Sequence, residues 1–381
     1  MKDTSEGITV TTIGILGGSG EAGHIIAKLL LKREDTHVIL MGRSETKLAN
    51  ACTHLGSTRV ETRVVDSQDL EALRTAMLDL DLIIVAAPVL NRVAEIAQVA
   101  LETSTSWLDI LVDTPEKTEV LTALGQEFSK AGLSLIASSG LHPGLPGAMV
   151  RALGDTLESP KGTQVALRFG VNWKKYNPTK ETEEEFTIEM NRFTSAAWVG
   201  GQYKTYRITS PNALRRVDFG SPFGVKDCSV MELEEIRRLP EFLPTLEDAG
   251  LAMSGFSFIV DYVFLPLAWG LMKLGRTAAA TRLMWHGLRN YTHPPYGVVL
   301  IADLWDSGED MVRLTVAHED GYWLTAAVAA ATTYQYLDGP LAKPGYHQAG
   351  LAVDPPTIFA DLEQMGARVK NFSGKQQYGL S

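Results

Sequence analysis

From residue 11 to residue 140 the chain alternates between short apolar runs and longer stretches with helical spacing. "TTIGILGG" is a β-branched run ended by glycine, and "AGHIIAKLLLKR" then places apolar residues at helical intervals and closes on Lys32 and Arg33, which suit a helix C-terminus. The same pairing recurs. Strand "THVILMG" precedes helix "SETKLANACTHL", with Ser44 as its N-cap, and strand "TRVETRVVD" precedes helix "SQDLEALRTAML", with Ser67 at its start. Strand "DLIIVAAP" leads to helix "VLNRVAEIAQVALET", strand "TSWLDI" to helix "TPEKTEVLTALGQEFSKAG", and "LSLIASSG" is a sixth strand. Strands alternating with helices imply a parallel sheet covered on both faces, and six of them suit a doubly wound dinucleotide-binding sheet.

The first strand-to-helix junction sharpens that expectation. Gly18-Ser19-Gly20-Glu21-Ala22-Gly23 is a GxGxxG that follows a strand and opens a helix, the context the pattern requires. On this reading Gly18 permits the tight turn, Gly20 lets the backbone approach a pyrophosphate, and Gly23 lets helix and strand pack closely. The helix N-terminus adds free N–H donors and a partial positive charge. About twenty residues further on, sheets that bind NAD place an Asp or Glu against the ribose hydroxyls. Here the sequence is "LMGRSETK": Arg43 stands in that place, with Ser44 beside it and Lys47 one turn on. A guanidinium pairs with a 2′-phosphate and a carboxylate repels it, so NADP(H) is expected rather than NAD(H). Asp66, ending the third strand, is placed near the adenine. Ala86, Ala87 and Pro88, ending the fourth, are small enough to allow close approach of the cofactor.

Composition narrows the class. The chain has 381 residues, enough for two domains, and a formal net charge of −10, which disfavours a nucleic-acid partner. Two distant cysteines, Cys52 and Cys228, form neither a disulfide framework nor a zinc motif, and no metal site is expected. The N-terminus lacks the pattern of a secretory signal, so a reducing, cytoplasmic setting is expected.

The second half reads as a mixed sheet with helices. "TQVALRFGVNW" and "QYKTYRITS" are strands around the acidic helix "TKETEEEFTIEMNRF", and "GVVLIADLWDSGEDMVRLTVAHEDG" is a hairpin turning at Asp306-Ser307-Gly308. "DGYWLTAAVAAATTYQYLDG" and "DPPTIFADLEQMG" are helices stopped by glycine. The stretch 251–273, "LAMSGFSFIVDYVFLPLAWGLMK", has the length of a membrane span. Its ten Leu, Ile, Phe and Val residues favour insertion by about 5 kcal/mol, but Asp261 costs about 3 kcal/mol and the polar and helix-breaking residues take the rest. A buried helix or subunit contact is expected ahead of a greasy substrate wall or a peripheral membrane contact.

Four features resemble the saccharopine dehydrogenase-like oxidoreductases. They are "GGSGEAG" followed by "GRSETKL"; "VAAPVLNRVAEIAQVALETSTSWLDI", ending at Asp109; the turn "SSGLHPGLPGAM", with Gly140, Pro143 and Gly144; and the segment from "EDGYWLTAAV" to "MGARV". The resemblance covers both ends of the chain and is weaker in the middle. It implies an NADP-binding Rossmann domain over 1–150, an inserted α+β domain over 151–319 that carries substrate and oligomer contacts, and C-terminal helices over 320–381 returning to the first domain. It also implies a homodimer. The chain departs from the family pattern at "NPTKETEEEFTIEM" and "LVDTPEK".

Ligands of doubly wound sheets lie beyond the carboxyl ends of the strands, the region of Pro88, Val89, Asp109, Asp113, His142 and Pro143. His142, which can titrate near neutrality, is the first candidate for proton transfer. Tyr176, after the first strand of the second domain, is another, and Asp109 is a candidate for proton chemistry or for holding the neighbouring loop. Three readings stand. One is an NADPH-dependent enzyme that reduces an imine or oxidises a secondary amine. The others are a reductase of an activated C=C bond or ketone on a hydrophobic small molecule, and a cofactor-binding sensor without turnover.

Overall fold

The computed structural model describes residues 10–176, 178–207, 210–308 and 310–375. The alternating region folds as β1 (Thr11–Leu16), α1 (Glu21–Leu30), β2 (Thr36–Gly42), α2 (Glu45–Leu55), β3 (Val60–Val64), α3 (Leu70–Met77), β4 (Leu82–Val85), α4 (Val93–Glu102), β5 (Ser106–Asp109), α5 (Pro115–Lys130) and β6 (Ser134–Ala137). Ser44 caps α2, its hydroxyl accepting from Lys47 N. The cap of α3 is Asp69, whose carboxylate accepts from Ala72 N at 3.0 Å, and Ser67 does not take that place. The reason is local: Asp66 Oδ1 accepts from Gln68 N at 3.0 Å, and this turn delays the helix by two residues.

The chain continues through α6 (Leu145–Gly154), β7 (Gly162–Gly170), α7 (Lys180–Arg192), β8 (Ser195–Val199), β9 (Gln202–Tyr206), β10 (Leu214–Asp218), β11 (Val225–Met231), α8 (Glu234–Arg237) and β12 (Asp248–Ser254). Then come α9 (Leu265–Lys273), α10 (Thr277–Tyr291), β13 (Gly297–Trp305), β14 (Asp310–His318), α11 (Gly321–Leu337), β15 (Gly345–Gln348), α12 (Ala349–Ala352), α13 (Pro355–Met365) and β16 (Arg368–Lys375).

Two compact units result. One takes the described residues up to Leu145 together with Tyr322–Met365; the other takes Pro146–Gly321 and the described residues from Gly366. The first unit is a Rossmann-type α/β layer: a seven-stranded sheet in the order β15-β6-β5-β4-β1-β2-β3, every pairing parallel. Six strands follow from the alternation; the seventh, β15, returns from the C-terminal segment to lie parallel to β6. Strands covered on both faces must be apolar along their length, and β4 and β6 are buried throughout. One large core cluster joins Ile39, Ile83, Trp107 and Leu135 of the sheet to Leu73, Ile96, Leu121 and Phe128 of its helices. Gly125 of α5 admits β15, since a Cβ there would lie 2.6 Å from the Tyr346 Cβ. Helix α11 is tied down by Tyr334, whose hydroxyl donates to Leu29 O at 2.7 Å, and by Asp338, paired with Arg33 at 2.8 Å.

The second unit holds a nine-stranded mixed sheet with the main order β10-β11-β12-β7-β13-β14-β16, and β8 and β9 attached at β12. Only β12 and β7 run parallel within that path. The terminal strand β16 pairs antiparallel with β14, so the last residues of the 320–381 segment do not return to the Rossmann unit with the rest. The edge of β14 otherwise exposes a row of unpaired backbone groups, and β16 satisfies them. The stretch 251–273 is not one helix either. Leu251–Ser254 complete β12; a π-helical segment follows at Val260–Phe264 and runs into α9. Asp261 sets the break: its Oδ1 accepts from Phe256 N at 2.9 Å, and a Cβ on Gly255 would lie 2.0 Å from its Oδ2. No described helix is long and apolar enough to cross a membrane.

Candidate functional site

The glycine turn between β1 and α1 is built by three close approaches. Gly17 carries the left-handed backbone, at φ +91°, and a Cβ there would lie 2.6 Å from Ala86 O. Gly17, one residue before the GxGxxG pattern, is therefore the tight-turn glycine, a role the sequence pattern placed at Gly18. Gly18 is small for another reason: its Cβ would meet Leu40 Cα at 2.9 Å. Gly23 brings α1 against the turn, with only 2.3 Å between its would-be Cβ and Gly17 O.

Helix α1 begins at Glu21 with Gly20 as a cap that offers no side-chain hydrogen bond. The helical ladder starts with His24 N donating to Gly20 O at 2.9 Å, so the amides of Glu21, Ala22 and Gly23 open onto the N-terminus. Gly20 and Glu21 are exposed, and the end is open to solvent. Uncapped donors, an exposed glycine at the approach and the helix dipole together fit the phosphates of a dinucleotide. The Ala86–Pro88 segment lies beside this turn, as the Gly17–Ala86 approach shows.

Next to it, Ser19, Gly20, Glu21, Lys47, Asn50 and His54 line a hollow of about 260 Å³ between the start of α1 and α2. Ser19 and Lys47, expected on separate grounds to meet the cofactor, thus line the same hollow. Arg43 ends the β2–α2 junction and is exposed, and Ser44 spends its hydroxyl on the helix cap. Asp66, expected near the adenine, lines a second hollow with Gln68, Asp69 and Arg92.

Beyond the carboxyl ends of β5 and β6 lies a buried polar network. Asp109 is fully buried, and four donors occupy its two oxygens: Trp107 Nε1 at 2.9 Å on one, and Leu111 N at 3.0 Å, Lys117 Nζ at 2.7 Å and Ser138 N at 3.1 Å on the other. A carboxylate that gathers four donors from β5, α5 and the turn after β6 holds the loop in place. Lys117 also donates to Leu111 O and to Ser138 Oγ, both at 3.0 Å, and Ser138 Oγ in turn donates to Asp113. Gln348, the last residue of β15, donates to the other Asp113 oxygen at 3.0 Å. Burial pushes the Asp113 carboxyl above the usual carboxylate range, against the pull of the Lys117 ammonium.

This network pins the turn after β6. Ser138 sits at φ +65°, a left-handed conformation that costs a non-glycine residue about 1 kcal/mol or more and needs its surroundings to enforce it. Gly140 N donates to Pro143 O at 2.9 Å and closes the turn that presents His142. The His142 Nε2 is sealed from solvent, as are Ser139 Oγ and Gln348 Oε1, and none of the three has a hydrogen-bond partner among the described residues. All three belong to residues at or beyond the carboxyl ends of β6 and β15, the side on which doubly wound sheets bind their ligands. Burial lowers the His142 pKa to about 4, so the ring is neutral at pH 7 and does not titrate near neutrality.

Lys117, Ser138 and Gln348 escaped the sequence reading. A signal for Lys117 existed: residues 117, 121, 125 and 128 form the buried stripe of α5, and a lysine on that stripe must find anions inside. Gln348 had no local signal, because its strand was not recognised. Tyr176 lies in the second unit, where its hydroxyl donates to Asp320 Oδ1 at 3.0 Å and its ring packs on the cluster around Trp173.

Comparison with known proteins agrees with this layout. Residues 13–136 match the family described as the saccharopine dehydrogenase NADP binding domain. Among solved structures, saccharopine dehydrogenase (L-Glu forming) from Saccharomyces cerevisiae superposes over 96% of this chain and 100% of its own, at 15% identity and a TM-score of 0.69. A putative myo-inositol dehydrogenase from Sinorhizobium meliloti aligns over 96% of this chain and 99% of its own, at 11% identity and a TM-score of 0.48. The first likeness establishes the fold. No curated protein matches the sequence.

Proposed function

We propose that this chain, whose residues 13–136 match the saccharopine dehydrogenase NADP binding domain, is an NADP-dependent oxidoreductase that interconverts an imine and a secondary amine. NADP(H) supplies or takes the hydride when bound. In the reductive direction a C=N bond, one hydride and one proton become a CH–NH unit; in the oxidative direction the same atoms leave. The chain's own residues must therefore hold a nitrogen that gains or loses a proton while its carbon faces the nicotinamide.

The observation that carries the reading is the sealed, partnerless His142 Nε2 on a turn that Asp109, Lys117 and Asp113 hold rigid. A neutral imidazole suits holding this nitrogen, since its free ring nitrogen accepts from the N–H of an amine or of an iminium ion, and the proton gained or lost is then carried on the substrate as the iminium. Ser139 Oγ and Gln348 Oε1 offer further polar contacts at the same sheet edge. Asp109 holds the turn in place. Tyr176 is a second candidate for substrate contact, with Asp320 holding its hydroxyl. Arg43, Lys47 and Ser19 select the 2′-phosphate through charge and hydrogen bonding.

The test is to supply NADPH with cyclic and acyclic imines, enals and ketones, and to follow NADPH oxidation. Turnover confined to imines supports the reading. Turnover of enals or ketones alone replaces it with a C=C or C=O reductase on a hydrophobic substrate. Tight NADPH binding with no oxidation across the panel points to a sensor.

A further inference from the structure

The apolar stretch in the second unit divides its side chains between two faces. Val260, Leu265 and Ala268 point into the core formed with Trp173, Met284 and Trp285. Phe258, Ile259, Tyr262, Val263, Leu267 and Leu274 face outward; Phe258 is 75% exposed, Tyr262 67%, Leu267 55% and Leu274 73%. The spacing of 259, 263 and 267, with 258 and 262 alongside, makes one stripe along the π-helical segment and α9. The Phe258 and Tyr262 ring centroids lie 4.9 Å apart with the planes tilted by 40°, and both side chains remain exposed. Large apolar side chains concentrated on one exposed helix face mark an interaction surface.

The charges around the stripe identify what it meets. Residues 256–293 contain Lys273, Arg276, Arg282 and Arg289 against one acidic residue, Asp261. The acidic helix α7 meets this segment on its core side, where Trp269 and Trp285 donate to Met190 O and Glu183 O and where Phe186 and Met190 join the cluster of Val260, Leu265 and Ala268. Asp261 is turned inward onto Phe256 N, and Arg289 is engaged with Glu183 at 2.6 Å. Lys273, Arg276 and Arg282 are exposed. A greasy helix face with an aromatic pair and a basic rim, on an otherwise acidic protein, is complementary to a bilayer surface bearing anionic headgroups. A second copy of the chain fits less well, because a two-fold contact along this stripe brings each basic rim against its own image. The helical run from Val260 to Lys273 is about 21 Å long, short of the roughly 30 Å hydrocarbon core, so it lies in the interface and does not span it.

We propose that the outward face of residues 258–274, flanked by Lys273, Arg276 and Arg282, docks the protein on anionic phospholipid membranes. Flotation of the full chain with vesicles tests this and needs no turnover, so its outcome is independent of the reaction assigned above. The vesicles are phosphatidylcholine alone, or equal parts phosphatidylcholine and phosphatidylglycerol. The expected result is binding to the mixed vesicles that weakens as salt is raised. Phe258→Ser with Leu267→Ser should reduce the bound fraction roughly tenfold by removing buried apolar area. Lys273→Glu with Arg276→Glu should remove the preference for the anionic vesicles. Unchanged thermal unfolding of both variants shows that they are folded. No flotation of the wild type, or flotation that both variants retain, overturns the proposal. So does a wild-type dimer that Phe258→Ser with Leu267→Ser converts to monomer without any vesicle binding, since the stripe then belongs to a second copy.

Discussion

The Lys117 ammonium donates to Asp109 Oδ1 at 2.7 Å with both side chains almost wholly shielded from water, at 1% and 0% exposure. The pair sits between the end of β5 and the first turn of α5, and its remaining donors and acceptors reach Ser138, Asp113 and Leu111. Removing one partner of such a pair leaves a charge in a low-dielectric interior, which costs more than the pair itself contributes.

Lys117→Met is therefore expected to destabilise the protein by about 3–5 kcal/mol, because it strands Asp109 and Asp113. Denaturant unfolding measures this directly. A loss below about 1 kcal/mol would show that water reaches the site and that the turn after β6 does not depend on the network.

Arg43→Ala should weaken NADPH binding roughly a hundredfold while changing NADH binding little, since a charge-assisted bond to the 2′-phosphate contributes about 1.5–3 kcal/mol. Isothermal titration with each dinucleotide separates the two. Equal losses for both remove Arg43 from 2′-phosphate recognition.

The glycines of the first turn should divide by what surrounds them. Gly23→Ala places a Cβ 2.3 Å from Gly17 O, a backbone atom that cannot yield cheaply, so a loss of about 1–3 kcal/mol in unfolding free energy is expected. Gly20→Ala meets only Gly17 O at 3.2 Å, so the fold should persist while cofactor affinity falls, because the new methyl stands at the open helix N-terminus. If Gly20→Ala binds NADPH as the wild type does, the phosphates do not approach that residue.

His142 makes two separable predictions. His142→Asn should lower turnover on imines at least about tenfold with NADPH affinity retained, as misplacing the reacting nitrogen does. Its stability should also respond to pH in a defined direction. The folded pKa, about 4, lies below the unfolded value of about 6.5, so between those limits the unfolded chain binds more protons. Stability associated with the neutral ring is complete above about pH 6.5 and is lost as pH falls towards 4, by at most about 3 kcal/mol. The asparagine variant lacks this component, so the wild-type advantage over it should shrink through that range. A pH-independent difference would place the ring in open solvent.

The sequence by itself was enough for the parallel sheet and the dinucleotide turn, because both rest on local rules. A buried parallel strand needs a continuous apolar run, a crossover helix needs a 3.6-residue period, and a phosphate-binding helix start needs glycines at short fixed spacing. Helix starts failed where an Asx turn competed, as at Asp66 against Ser67. Tertiary structure alone decided the rest. It placed Gln348 beside Asp113, 235 residues away along the chain, brought Lys117 inward onto Asp109, gave β16 to β14, and sent one half of the 251–273 stretch into a sheet and the other half to the surface. In each case the deciding partner is remote in sequence, and neither hydropathy nor spacing records which remote group will satisfy a buried charge, an open strand edge or a greasy face.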